Sequence, residues 1–226
     1  MTMLDYVGRD DAGRDHAGRD DAGLDYECFA DTPLVRTPYD HLVVPNFVPH
    51  DAAVAAAASF PAPDLPGVLP APSKPRNDAC GQLLTELRAP RLTRLFADKY
   101  HLPLSPATLM ITLRARTRPQ DGRIHTDSES KVITALIYLN DDWSSEGGRL
   151  RVLRGPDDIE DMAAEVPPLA GTLITFRRTD SSWHGHKPFD GPRKAIMLNW
   201  MVDAAAARRE TLRHAVSAGV KSLFAA

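Results

Sequence analysis

The residues best suited to chemistry lie in two places. One is His125-Thr126-Asp127; the other is the stretch Ser182-Trp183-His184-Gly185-His186-Lys187-Pro188-Phe189-Asp190-Gly191-Pro192-Arg193. In an extended segment, side chains two apart project to the same side, so the His125 imidazole and the Asp127 carboxylate can converge on one point. A second imidazole, from His184 or His186, would complete a set of two nitrogens and one oxygen. On three adjacent positions of an octahedral ion, that set leaves three open, the arrangement that suits a non-haem Fe(II) centre. Arg193 adds a permanently charged planar fork able to hold a carboxylate by two parallel hydrogen bonds. The first half alone is weak, because a His two residues from an Asp is common by chance and usually makes only a surface hydrogen-bonded pair.

These side chains need strands to position them. From Thr108 onward, short runs rich in β-branched and aliphatic residues, at 109–117, 131–139, 148–153, 171–176 and 194–202, are separated by Gly, Pro, Asp and Ser. This spacing predicts antiparallel strands in a sandwich or barrel. His125 and Asp127 fall just before the second run, and the His184 to Arg193 stretch leads into the last. Upstream, the apolar run Leu42, Val43, Val44, Phe47, Val48 ends at Pro49, and a helix is predicted from His50 or Asp51 through the alanines. Prolines 61, 63, 66, 70, 72 and 75 impose an extended loop. A helical region over 78–100 carries Leu83, Leu84, Leu87, Leu92, Leu95 and Phe96 at spacings of one to five, and Pro90 must break or kink it. From Ala204 a final helix places Leu212, Val216, Val220 and Leu223 on one stripe, to pack on the β-body or to meet a second copy.

Charge narrows the partners. Of the net −3 on 226 residues, residues 1–25 hold seven Asp and three Arg, a balance of −4 that leaves +1 for the rest. A neutral body lacks the basic face that phosphate backbones require, so no nucleic-acid partner is expected. From Gly8 the chain repeats Gly-Arg-Asp-(Asp/His)-Ala with a five-residue period and almost no apolar side chains. Such a segment cannot bury enough surface to offset its ordering entropy, and disorder is predicted over 1–25. Cys28 and Cys80 are too few for a disulfide framework. The N-terminus lacks a secretory pattern, and the alanine-rich run 52–58 is too short for a bilayer, so a cytoplasmic protein with no membrane partner is expected.

Five elements in order give the sequence its resemblance to the 2-oxoglutarate and Fe(II)-dependent dioxygenases, within them to the prolyl-hydroxylase-like group. They are the His125 and Asp127 pair; Thr134-Ala135-Leu136-Ile137-Tyr138-Leu139-Asn140; Glu146-Gly147-Gly148-Arg149-Leu150-Arg151; Gly171-Thr172-Leu173-Ile174-Thr175-Phe176; and the His184 to Arg193 segment. The resemblance implies a mainly β fold with supporting helices, a double-stranded β-helix of the jelly-roll, cupin-like type. It divides the chain into an acidic tail (1–25), a dioxygenase domain (26–203, with a helical lead at 40–103 and a β core at 108–203) and a C-terminal helix (204–226). By the same resemblance His125, Asp127 and His184 stand as iron ligands, Arg193 and Tyr138 as partners of 2-oxoglutarate, and Leu136 and Leu150 as apolar walls of its pocket. The spacing to Arg193 and the preceding Trp183 favour His184 over His186, which takes an apolar position beside the co-substrate in the prolyl hydroxylases.

What the resemblance implies chemically is oxidative decarboxylation of 2-oxoglutarate with O2 at Fe(II), giving succinate and CO2 and hydroxylating a C–H bond. Ascorbate is a candidate reductant. An intact Asp127 argues against a halogenase, in which a small residue there frees a site for chloride. The sequence departs from the family where relatives often carry a Tyr before the metal pair: Arg114, Arg116, Arg118 and Arg123 stand there instead. Arg114, Arg116 and His186 are therefore candidate substrate-facing residues. The acceptor is a peptidyl prolyl group or, by the same chemistry, a free amino acid, small metabolite or saccharide. An inactive jelly-roll binding protein is the reading from another class, and a monomer or homodimer is expected.

Overall fold

Alternation along the strands builds one large sheet with two different faces. The computed structural model describes residues 23–61 and 67–223, with side chains described as far as 215. The acidic repeat of residues 1–22, with the disorder expected for it, lies outside the described residues, as do residues 224–226. The elements run α1 (Tyr26–Asp31), β1 (His41–Val44), α2 (His50–Ala58), β2 (Leu69–Pro70), α3 (Ala79–Glu86), α4 (Pro90–Tyr100), β3 (Leu109–Thr117), β4 (Lys131–Tyr138), β5 (Leu150–Leu153), β6 (Met162–Val166), β7 (Leu173–Arg177), β8 (His184–Gly185), β9 (Gly191–Met201) and α5 (Ala204–Leu223). Six strands pair in the order β1-β7-β4-β9-β3-β2, and three form a smaller sheet, β6-β5-β8. All these strand pairs are antiparallel.

One face of the large sheet carries Ile133, Ala135 and Ile137 from β4 and Ile196, Leu198 and Trp200 from β9, all fully buried against α1, α3 and α4. Trp200 lies 4.4 Å from the Phe96 ring of α4. The opposite face carries Leu136 and Tyr138 from β4, Ile174 and Phe176 from β7 and Ala195 from β9, packed against Leu150, Val152 and Val166 of the smaller sheet. Two antiparallel sheets enclosing a core of this kind are the expected jelly roll.

The helical lead over 40–103 is interrupted by two strands. His41–Val44 pairs with β7 because its apolar residues can bury their alternate faces on the two cores. Leu69–Pro70 joins the outer edge of β3, where a proline without an N–H costs no ladder bond. Pro90 does end one helix and begin the next, standing in the first turn of α4 where its missing N–H is not needed. Order also reaches into the acidic stretch: Leu24 is buried in the helical core, and the Asp25 side chain accepts the Cys28 N–H as the cap of α1. In α5, Ala206 and Ala207 pack on Met110 and Met201 of the large sheet, while Leu212 is 66% exposed.

Candidate functional site

His125 and His184 are opposite each other in an isolated antiparallel bridge, exchanging two backbone N–H···O bonds of 3.0 Å each. Directly opposed residues project to the same side, and the two rings lie with centroids 4.4 Å apart. Asp127, two residues on from His125, comes to the same side, and the three residues each offer a ligand atom within 4.8 Å of the others. In each histidine the Nδ1 faces a backbone carbonyl, Arg123 O at 2.7 Å and Ser182 O at 2.9 Å. A carbonyl can only accept, so Nδ1 carries the proton and Nε2 is left with its lone pair for a metal ion.

The environment supports that donor set. His184 is buried and packs on Phe176 at 4.6 Å. Burial pushes its pKa down to about 4, with Asp127 opposing the shift and His125 adding to it. Burial alone would raise the Asp127 carboxyl; the Lys131 ammonium, the neighbouring His184 and hydrogen bonds from Lys131 and Thr134 override it and hold it at about 2. A neutral imidazole and an ionised carboxylate are the forms that bind a metal ion. Of Thr134, Asn199 and Lys131, which surround Asp127, the sequence offers Thr134 only as part of a motif and does not single out Asn199 or Lys131. Thr134 faces the cleft by simple alternation, but its contact with Asn199 depends on the β4–β9 register that sets them opposite each other. Lys131 reaches back across a turn closed by its own N–H to Ser128 O at 3.0 Å, a turn that the Ser-Glu-Ser composition signals.

His184 and His186 lie on one side of the chain, and His186 is the next such position along. His184 belongs with His125 and Asp127; His186 does not. Its N–H donates to Gly122 O at 2.8 Å, and a Cβ on Gly122 would come within 2.2 Å of its ring, so only a glycine, here at φ +80°, lets the loop approach so closely. Burial and the positive charge of Arg193 depress the His186 pKa to about 4.

Arg193 stands at the far end of the same cleft. Thr134 and Tyr138 are four residues apart on the cleft face of β4, about 13 Å by strand rise, with Leu136 between them. Arg193 Nε donates to Gly148 O at 2.7 Å and Nη2 to the Tyr138 hydroxyl at 3.2 Å. Two residues of β9, Arg193 and Lys194, oppose the single Ala115 of β3, a bulge of the kind that re-aims side chains. The Arg193 side chain is buried with only neutral partners, and among the described residues no carboxylate pairs with it. Leu136 and Leu150 line the apolar cluster that encloses this end. Arg114 turns toward the same region, with Asp121 as its partner at 3.2 Å. Burial lowers its pKa, Asp121 opposes, and Arg193 adds to the shift. Arg116 meets Asp190 at 3.2 Å. Each of the two arginines thus has a carboxylate partner within the chain. A separate groove of about 440 Å³, between Val54, Ala57, Trp143, Phe189 and Lys194, lies apart from the three ligands.

Comparisons with known proteins agree with this geometry. Residues 113–202 match the model of a family described as the 2OG-Fe(II) oxygenase superfamily. The fold is similar to that of a prolyl-4-hydroxylase from Pseudomonas putida, at a TM-score of 0.54 and 21% identity over 78% of this chain and 90% of that one. It is also similar to prolyl 4-hydroxylases from Phytophthora capsici, at a TM-score of 0.50 and 17% identity over 70% of this chain and 57% of that one. No curated protein sequence matches the chain. Among the described residues no helix is long and apolar enough to cross a membrane.

Proposed function

We propose a function on one premise: the chain belongs to the 2OG-Fe(II) oxygenase superfamily and is a 2-oxoglutarate-dependent Fe(II) oxygenase that uses O2. Within that activity, His125, Asp127 and His184 hold the iron, and Arg193 with Tyr138 holds the distal carboxylate of 2-oxoglutarate. Leu136 and Leu150 form the apolar walls between. The observation that carries this reading is the buried Arg193 guanidinium without an anionic partner, in the same cleft as three convergent metal-ligating side chains. An unpaired buried charge is costly, so the site is built for an anion supplied from outside. Iron with its co-substrate, when bound, supplies O2 activation and C–H hydroxylation, with release of succinate and CO2. The protein's own part is positional. Nδ1 contacts fix both imidazole tautomers, Thr134 orients the Asp127 carboxylate, and the apolar walls exclude water from the cleft.

The acceptor we propose is a prolyl residue of a peptide or protein, a reading supported by the similarity to prolyl 4-hydroxylases and by the pairing of Arg114 and Arg116 with carboxylates of the chain itself. The working unit is the dioxygenase domain without the acidic repeat, acting as a monomer or homodimer in the cytoplasm. The test is succinate release from 2-oxoglutarate by the Fe(II)-reconstituted protein, followed by mass spectrometry of proline-containing peptides and of small metabolites for gain of one oxygen atom. Turnover with oxygen gained on proline is the expected result. Absence of succinate, with or without acceptor, would overturn the oxygenase reading, and oxygen gained only on small metabolites would overturn the prolyl one.

A further inference from the structure

We propose that Lys131 is a built-in competitor for the metal: its ammonium occupies the Asp127 oxygen that a divalent cation takes, and the ion enters by displacing it. The inference rests on the reading of His125, Asp127 and His184 as ligands. The two oxygens of Asp127 are held by partners of different kinds. Oδ2 accepts the hydroxyl proton of Thr134, which is buried and lies 3.1 Å from the Asn199 side-chain amide. Oδ1 is held by Lys131 Nζ at 2.7 Å, and the Lys131 side chain is 21% exposed. Thr134 sits in the middle of β4, paired on both sides, with Asn199 on β9 and Phe176 on β7, so it cannot withdraw without opening the sheet. Lys131 is the first residue of β4, next to a register irregularity, and its long stem can leave by rotamer change alone. Oδ1 is therefore the oxygen that can be vacated.

A protonated ammonium has no lone pair to share with a metal, and a single positive charge within a few ångströms of a divalent cation is repelled by it. Without a metal ion, Lys131 neutralises a carboxylate that is otherwise buried beside the His184 ring. The same contact must be broken on metal entry, so Lys131 weakens metal binding while Thr134 strengthens it. A residue that merely braced the fold would not give these opposite signs.

Mn(II) binding to the metal-free full-length chain, measured by the electron paramagnetic resonance signal of the free ion, tests this without turnover. Removing the ammonium in Lys131→Met and Lys131→Gln should tighten Mn(II) binding about tenfold, Lys131→Arg should stay near the parent value, and Thr134→Val should weaken it about tenfold or more. Melting temperatures supply a second readout: Lys131→Met should melt below the parent without metal and gain more on adding Mn(II). If the parent binds Mn(II) but both neutral Lys131 variants bind it equally or more weakly, the competitor role is wrong. If the parent binds none, or His184→Ala binds as well as the parent, the ligand reading itself fails.

Discussion

The two faces of the large sheet come from the same strands and have opposite characters. Toward the helices, Ile133, Ala135, Ile137, Ile196, Leu198 and Trp200 fill the space with apolar side chains alone. Toward the small sheet, the alternate positions are Thr134, Leu136 and Tyr138 on β4, with Arg193 and Asn199 on β9, and hydroxyls, an amide and a guanidinium stand among fewer apolar contacts. A jelly roll can carry this polar inner face because the other face supplies the packing. Stability and chemistry are thereby divided between odd and even positions of one strand, and substitutions on the two faces should fail in different ways.

The largest effect belongs to the inner face. His184→Ala should abolish metal binding, whereas His186→Ala should retain it, as measured by metal titration of each folded variant. The reverse outcome would exchange the two residues' roles. On the outer face, Trp200→Ala removes the partner of Phe96 and the donor to Thr93 Oγ1 at 3.2 Å. It should cost about 3–5 kcal/mol of stability in denaturant unfolding while leaving the metal affinity of the folded protein unchanged. Arg193→Ala should do the opposite, raising the 2-oxoglutarate requirement about a hundredfold through loss of charge-assisted hydrogen bonds, with a melting temperature no lower than the parent's because a buried unpaired charge is removed. A drop in melting temperature for this variant would break the division of labour. Smaller still, Tyr138→Phe should raise the same requirement about three- to tenfold, the loss of one hydrogen bond, seen in the dependence of succinate release on co-substrate concentration.

Much of this division was legible in the sequence, and the limits have physical causes. Period-two alternation puts Thr134, Leu136 and Tyr138 on one side of their strand, and the strand expected at 109–117 matches β3. By contrast, the sequence around β6, Asp-Met-Ala-Ala-Glu-Val, has no strand character of its own; pairing with β5 overrides its propensity. The two-residue β8 is too short to produce a pattern at all. His184 and His186 share a side, so periodicity could not choose between them, and the backbone bridge to His125 supplies what the sequence lacked. Arg114 and Arg116 share one side of their strand by alternation, but that each meets a carboxylate, Asp121 and Asp190, depends on contacts outside that strand. Thr134 as the partner of Asp127 depends on a contact between a loop and a strand, which no local pattern encodes.

The bridge between His125 and His184 also bears on how much the rest of the chain can change. Reciprocal backbone bonds, not chain separation, set the spacing of the two imidazoles. A longer loop within 154–161, or a foreign module inserted there, would leave that spacing intact. A single residue added between Gly122 and His125 would turn the first imidazole away from the second, because a one-residue slip reverses every side chain. The spacing of the two imidazoles is therefore indifferent to length in the 154–161 loop and intolerant of it over 122–125, so that loop can be recast around a geometry that stays fixed.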